Sequence, residues 1–362
     1  GFATADAIAS SLGMTRDDEN RVAAGIDYAL QQISLNGHCC IPEEPLIDRT
    51  ARLLQVDHET VRMVLKQQLE RKRLAVETVG AQVLIYPPYL YRAEQKVARK
   101  LLYLQKYADP LSVADPEKLV DEWETMTGLD LAAGQRKAMA AVLTHGIFVL
   151  TGGPGTGKTT VIRGMLDMLE LAGLDILLGA PTGRAAKRLA EATGRKTMTV
   201  HRMLEAQGGR NDDGSSMFAK DADEQLEADA IILDEVSMMD IVLMQHFLDA
   251  VPDGCHVILV GDVDQLPAVG PGAVLKDILR SGVIPSVCLT EVFRQDEQST
   301  IVLNAHAINA GRLPVCKPTG DFQFIELPDA QQTAQSIVEL CTKVLPAQGW
   351  NPLYDVQVLS PM

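Results

Sequence analysis

A lysine, a threonine and two carboxylates stand in this chain where phosphate chemistry needs them. The run Gly152-Gly153-Pro154-Gly155-Thr156-Gly157-Lys158-Thr159-Thr160 fits G-x-x-x-x-G-K-[ST] at every fixed position. Its glycines let consecutive backbone N–H groups converge on one point, and a helix opening at Lys158 adds positive potential there. Lys158 is suited to the β- and γ-phosphates of a nucleoside triphosphate, and the Thr159 hydroxyl to Mg²⁺. Further on, Ile231-Ile232-Leu233-Asp234-Glu235 ends an apolar run in two carboxylates. Asp234 is placed to hold Mg²⁺ and Glu235 to take a proton from an attacking water. In Gly261-Asp262-Val263-Asp264-Gln265, the glutamine can hydrogen-bond the γ-phosphate or its water, and Asp262 can link that loop to the metal site. Arg294, in Glu291-Val292-Phe293-Arg294-Gln295, is suited to neutralise transition-state charge across an interdomain cleft. Taken alone, Arg294 also reads as a surface salt bridge; its position favours the first role.

These residues need elements to hold them. Ile147–Leu150 reads as a short buried strand entering the glycine loop. Val161, Ile162, Met165, Leu166 and Leu169 then recur at helical spacing until Gly173. A glycine-rich turn with a chance lysine would not need both flanks. Further apolar strands are expected at Ile176–Gly179, Ala230–Leu233, Val257–Val260 and Ser286–Leu289, with helices between them. Candidate residues follow the C-terminal ends of these strands, which predicts an α/β fold with a doubly wound parallel sheet. After Arg294 a helix near 300–310, a strand Phe322–Ile325, a helix Ala330–Leu345 and a strand Val356–Leu359 read as the start of a second α/β domain.

Between the phosphate loop and the carboxylates lies Gly179-Ala180-Pro181-Thr182-Gly183-Arg184-Ala185-Ala186-Lys187-Arg188. A strand ends there in a turn and a helix start carrying a hydroxyl and three cations. Pro181, Thr182, Gly183 and Arg184 suit a nucleic-acid backbone rather than its bases. Thr199-Val200-His201-Arg202 is a weaker site of the same kind, and His201 alone also reads as a helix-start packing residue. Ala206–Glu227, glycine-rich and polar, reads as a loop or an exposed hairpin.

The N-terminal part is mostly helical. A helix from Ala5 to Leu12 closes at Gly13, and the glycine before it suits either the second half of a helix-hairpin-helix or a simple N-cap. A helix over Asp18–Leu35 follows. Leu46–Leu54, His58–Arg73 and two β-rich runs around Gly80-Ala81 form a winged-helix-like pattern. Arg62, Lys66, Arg71, Lys72 and Arg73 are either a phosphate-facing set or the solvated face of a protein-packing module. A long helix from Tyr89 to Tyr107 leads to a linker marked by Asp109-Pro110 and Asp115-Pro116.

Composition sets limits. No apolar run approaches ~20 residues and no basic-then-apolar leader opens the chain, so no membrane partner is expected. Six cysteines without a C-x-x-C pair read as reduced thiols of a cytoplasmic protein. The net charge of −15 argues against wholesale coating of nucleic acid and leaves room for a local basic groove. With aromatics at 4 %, base stacking cannot be widespread, so backbone and arginine contacts must carry the grip. A GTPase would want a base-reading N-K-x-D, which is not found in the sequence.

GGPGTGKTT followed in order by APTGRAAKRL, TVHRML, IILDEVSMMD, VILVGDVDQLPAVGPG and LTEVFRQ resembles superfamily 1 helicases, most of all the short, stand-alone RecD-like branch. The resemblance implies a RecA-like fold, ATP and Mg²⁺ as nucleotide and metal, and 5′-to-3′ movement on single-stranded DNA with unwinding at duplex junctions, in recombination or repair. It also implies that Gln135, in GLDLAAGQRKAM, reads adenine, that Gly153 to Thr160 bind nucleotide, and that residues 206–227 include a strand-separating pin. The implied domains are a helix-hairpin-helix part (1–36), a winged-helix-like region with its connecting helix (37–108), a first RecA-like ATPase domain (109–290) and the beginning of a second (291–362). The family's last two motor motifs lie beyond VLSPM, so the resemblance implies a fragment of a longer helicase. The competing reading is a DNA- or protein-binding module whose ATP site is idle or regulatory.

Overall fold

Val22, Ile26, Ala29 and Leu30 recur at helical spacing, and in the computed structural model of the chain they are buried along one side of a helix. The structure describes residues 1–108, 111, 113, 115–210, 216–291, 299–316 and 321–360. Residues 1–293 form one compact unit and 294–362 another.

The first unit opens with α1 (Phe2–Ser11), α2 (Glu19–Leu35), β1 (Ile41–Pro42), α3 (Glu43–Leu54) and α4 (His58–Glu70). Asp18 caps α2 and Asp57 caps α4, each carboxylate accepting backbone N–H bonds from the first turn. The Arg21 guanidinium is buried. It donates to both carboxylate oxygens of Asp6 and to the carbonyls of Arg16 and Leu54, tying α1 to α2 and α3. The hairpin of β2 (Ala75–Val79) and β3 (Gln82–Tyr86) follows as expected. A third strand, β1, adds to β3. Two residues including a proline carry no alternation, so β1 had no sequence signal.

Pro88 occupies the first turn of α5 (Pro88–Tyr107), where its missing N–H costs nothing. Leu90, Ala93, Val97, Leu101 and Leu104 are buried against the central sheet and its helices. At roughly 1.5–3 kcal/mol per large apolar side chain, this stripe outweighs the exposed pairs Lys96–Asp249 and Lys100–Asp253 beside it.

Next come α6 (Pro116–Thr127), α7 (Ala133–Thr144), β4 (Ile147–Gly152), α8 (Lys158–Leu171), β5 (Ile176–Ala180) and α9 (Gly183–Thr193). They are followed by β6 (Thr197–Thr199), α10 (Val200–Met203), the hairpin β7 (Ala206–Arg210) and β8 (Ser216–Phe218), and β9 (Ala230–Leu233). The unit closes with α11 (Ile241–Ala250), β10 (His256–Gly261), α12 (Val274–Ser281) and β11 (Ser286–Leu289). Six strands form a wholly parallel sheet in the order β11-β4-β10-β9-β5-β6. Strand alternation explains its two faces. Ile147, Val149, Ile231, Leu233, Val257 and Leu259 pack into the core containing α5 and α11. Phe148, Leu150, Ile232, Ile258 and Val260 pack into the core containing α7 and α8. The short edge strand β6 carries no sequence signal of its own; its last residue, Thr199, opens the weaker nucleic-acid candidate Thr199-Val200-His201-Arg202.

In the second unit Ser299 caps α13 (Thr300–Asn309), and Asp321 accepts from the Ser299 hydroxyl at 2.6 Å and the Thr300 N–H at 2.7 Å. Then come α14 (Ala330–Glu339), a π-helical turn Leu340–Val344 and α15 (Leu345–Ala347). The segments Phe322–Ile325 and Val356–Leu359, expected as strands, form no ladder, and Phe324 and Leu359 are exposed. A strand exists only where a neighbour accepts and donates along it, and among the described residues this unit supplies none.

Candidate nucleotide and nucleic-acid site

The phosphate loop springs from the C-terminal end of β4. Gly155 and Gly157 have φ of 73° and 78°, left-handed values that strain any side chain. A Cβ on Gly152 would stand 2.9 Å from the Leu289 carbonyl oxygen, so only glycine lets β4 and β11 approach there. Thr156, buried, donates from its hydroxyl to the Gly153 carbonyl at 2.9 Å. Lys158 Nζ folds back to donate to the carbonyls of Gly152 (2.5 Å) and Gly153 (2.9 Å). Neutral carbonyls are weak partners for an ammonium, and a phosphate oxygen would be a stronger one. Thr159 is exposed and Thr160 half-buried on the first turn of α8.

In-register pairing of β4, β10 and β9 brings three strand ends together. Asp234 follows β9, its N–H donating to the Gly179 carbonyl at 2.9 Å. Glu235 has φ of 56°, a left-handed backbone that costs a non-glycine residue roughly 1–3 kcal/mol. Its N–H donates to Asp234 Oδ1 at 2.9 Å. Burial pushes the Asp234 carboxyl above the usual range, against the pull of the Glu235 N–H, Lys158 and Arg188. Burial and then the Asp234 charge push Glu235 up as well, opposed by Lys158 and Arg188. Asp262 is buried beyond β10 and accepts from the Asp264 N–H at 3.0 Å, and Gln265 is exposed at the cleft edge.

Gly153, Pro154, Gly155, Thr156, Lys158, Thr159, Asp234, Glu235 and Gln265 thus line one cleft of about 230 Å³. Such a cleft can hold a polyphosphate at the helix N-terminus and present a carboxylate to a water. Thr159 and Asp234 offer one hydroxyl and one carboxylate, which fits Mg²⁺ shared with phosphate oxygens better than an ion caged by protein. Among the described residues no cluster of three or more carboxylate, histidine or cysteine ligands occurs.

Gln135 lies outside the residues lining that cleft. It is 2 % exposed on the first turn of α7, with Oε1 accepting from the Ala132 N–H at 3.1 Å and Nε2 donating to the Thr156 carbonyl at 3.3 Å. Reading adenine would require the amide to exchange one of these partners for the base. Arg294 lies outside the described residues.

The nucleic-acid candidates are split. Thr182 caps α9, accepting from the Ala185 N–H at 3.2 Å while its own O–H remains a donor. Pro181 is half-buried in the turn before it, and Gly183 and Arg184 are exposed on the first helical turn. His201 belongs to another group, its ring 5.7 Å from that of Phe218, which lies 5.0 Å from His246. His201 therefore supports the base of the β7–β8 hairpin, beside an open cavity of about 890 Å³ lined in part by Lys196, Arg202 and Lys220. Of the N-terminal cations, Arg62 pairs with Glu44 at 2.7 Å and Arg71 with Glu19 at 2.5 Å. Sequence reasoning grouped Arg188 with the nucleic-acid residues, whereas the structure turns it into the nucleotide cleft. The usable signal was its place beside Leu189, whose burial fixes the rotation of α9.

A parallel sheet with a glycine loop, a lysine and two carboxylates at adjoining strand ends defines a RecA-like P-loop α/β domain. Residues 130–327 match the family model described as AAA domain, and residues 1–40 match that of the ATP-dependent RecD2 DNA helicase HHH domain. The chain belongs to the AAA domain family, in its RecD-like superfamily 1 helicase branch. It is 35 % identical to the ATP-dependent RecD2 DNA helicase of Deinococcus radiodurans over 372 residues, covering 100 % of this chain and 49 % of the relative. It is 36 % identical to the RecBCD enzyme subunit RecD of Mycobacterium tuberculosis over 253 residues, covering 63 % and 42 %. The chain spans about half the length of the curated relatives it matches. The Pif1 helicase structure from Candida albicans is similar at 20 % identity and a TM-score of 0.41, over 60 % of this chain and 55 % of that one. Among the described residues no helix is long and apolar enough to cross a membrane.

Proposed function

We propose that this chain is an ATP-driven DNA helicase motor that hydrolyses Mg²⁺-ATP in the β4–β9–β10 cleft and moves 5′ to 3′ on single-stranded DNA, opening duplex junctions in recombination or repair, in the cytoplasm. The observation that carries this reading is the convergence of Lys158, Thr159, Asp234, Glu235 and Gln265 on one cleft at the sheet's C-terminal edge. The name of one relative, ATP-dependent RecD2 DNA helicase, supports the choice of DNA as the track.

Lys158 leaves its loop carbonyls for the β- and γ-phosphates, while the loop N–H groups cradle them. Thr159 and Asp234 would hold Mg²⁺, which supplies charge neutralisation on the phosphates when bound. Glu235, its carboxyl raised by burial and then by the Asp234 charge, accepts the proton of the attacking water. Gln265 contacts the γ-phosphate or that water, and Arg294 adds positive charge to the transition state. Thr182 and Arg184 hold the DNA backbone.

DNA-stimulated ATP hydrolysis, with strand separation on duplexes tailed at either end, tests this reading. Lys158→Ala is expected to abolish hydrolysis, because the β- and γ-phosphates lose their point charge. Glu235→Gln is expected to keep binding and lose turnover by on the order of 10²–10⁴-fold, since an amide cannot take the proton. Turnover by Glu235→Gln at the parental rate would remove the base assignment.

A further inference from the structure

The nucleotide cleft holds one cation that neither the phosphate loop nor the carboxylate motif explains. Arg188, on the second turn of α9, lines it together with Leu189 and Ala192. Leu189 is 2 % exposed and anchors that side of the helix, so packing aims its neighbour at the cleft. Two other cations on and near this helix have carboxylate partners: Lys187 pairs with Glu191 at 3.8 Å, and Arg195 with Glu170 at 2.6 Å. Among the described residues no carboxylate lies within ion-pair distance of Arg188.

A guanidinium is a planar fork matched to pairs of charged oxygens, and a cleft that leaves one unpaired is short of an anion. The loop amides and Lys158 approach the phosphates from the β4 side, Lys158 reaching the β- and γ-phosphates. Arg188 lines the cleft with Glu235 and Gln265, the groups assigned above to the attacking water and the terminal phosphate, and with Asp234, assigned to Mg²⁺. Resting on that nucleotide reading, we propose that Arg188 is a further catalytic residue, contacting the γ-phosphate of bound ATP from α9. No other domain is needed for the contact.

The test needs binding rather than turnover. Affinities for fluorescent ADP and for a fluorescent non-hydrolysable ATP analogue, each with Mg²⁺, are measured on the parent chain, Arg188→Ala and Arg188→Lys. Arg188→Ala is expected to weaken the triphosphate analogue about tenfold or more with ADP unchanged, and Arg188→Lys to recover part of that loss. Because Arg188 is exposed, the thermal melt of both variants should match the parent. Equal weakening of both nucleotides by Arg188→Ala, or of neither, overturns the assignment. A parent chain that binds neither nucleotide overturns the nucleotide reading itself, and the two failures are therefore distinct.

Discussion

Gln135 illustrates how a residue can matter to a site whose cleft it does not line. Its amide bridges Ala132 and Thr156, so the first turn of α7 props the phosphate loop from beneath. Gln135→Ala leaves a buried carbonyl and a buried N–H without their partner, which costs about 1–3 kcal/mol each way it is lost. Lower affinity for both ATP and GTP is expected, measured by titration with each. A markedly larger loss for ATP would show that the amide also reads adenine, and equal losses that it acts through Thr156. Glu235 shows a related economy. Its left-handed backbone is fixed by the N–H bond to Asp234, so the strained turn that follows β9 also aims the proposed base.

Among the elements, α9 carries residues of both the proposed DNA contact and the nucleotide cleft. The first turn of α9 carries Thr182 and Arg184, and its second carries Arg188 into the nucleotide cleft. Arg184 and Arg188 lie four residues apart, one above the other on a helix. A displacement of this rigid helix by DNA would be felt at the phosphates. The hairpin is held at its base by Phe218, packed between His201 and His246. Phe218→Ala removes that support without touching the nucleotide cleft. Strand separation is expected to fall by about tenfold while DNA-stimulated hydrolysis stays near the parental rate, the loss being on the order expected for removal of one aromatic anchor. A parallel loss of both activities would place Phe218 in the motor core instead.

Across the whole first unit, the N-terminal region is joined to the sheet domain through more than a chain connection. The Gly272 N–H donates to the Gly37 carbonyl at 2.9 Å, close to the loop that carries Gln265. Nearby, Cys39, Glu94 and Tyr86 crowd together with Asp277 of α12. Burial raises the Glu94 carboxyl, with Asp277 and Glu77 raising it further and Cys39 and Tyr86 opposing. Burial raises the Cys39 thiol as well, with the Glu94 charge adding to it. A carboxyl whose folded pKa exceeds its unfolded one is linked to stability that is complete below the unfolded pKa and is lost as pH rises through the folded one. Glu94→Gln should therefore raise the melting temperature at neutral pH, with the gain vanishing once pH falls below the ordinary glutamate range. A loss at neutral pH would show that the Cys39 and Tyr86 bonds outweigh desolvation, and a gain independent of pH would show that the ionisation of Glu94 is not its source.

The residues within one short segment settled most of what could be read without coordinates. Loop glycines, Lys158, the apolar run ending at Asp234, and the alternation in β4, β9 and β10 are local patterns, and each predicts its own element. The family motifs are local too, which is why the family resemblance was legible in the sequence. Contacts between segments distant in sequence left no such mark. The pairing of β1 with β3, the bridge from Gln135 to Thr156 and the tilted ring contact of His201 with Phe218 depend on which surfaces meet. Phe322–Ile325 shows the converse: an apolar run can suit a strand, but hydrogen bonding to a neighbour is what makes it one. Arg188 was visible as a cation on a helix. Its side of the helix was decided by the burial of Leu189, and only the packed structure supplies that.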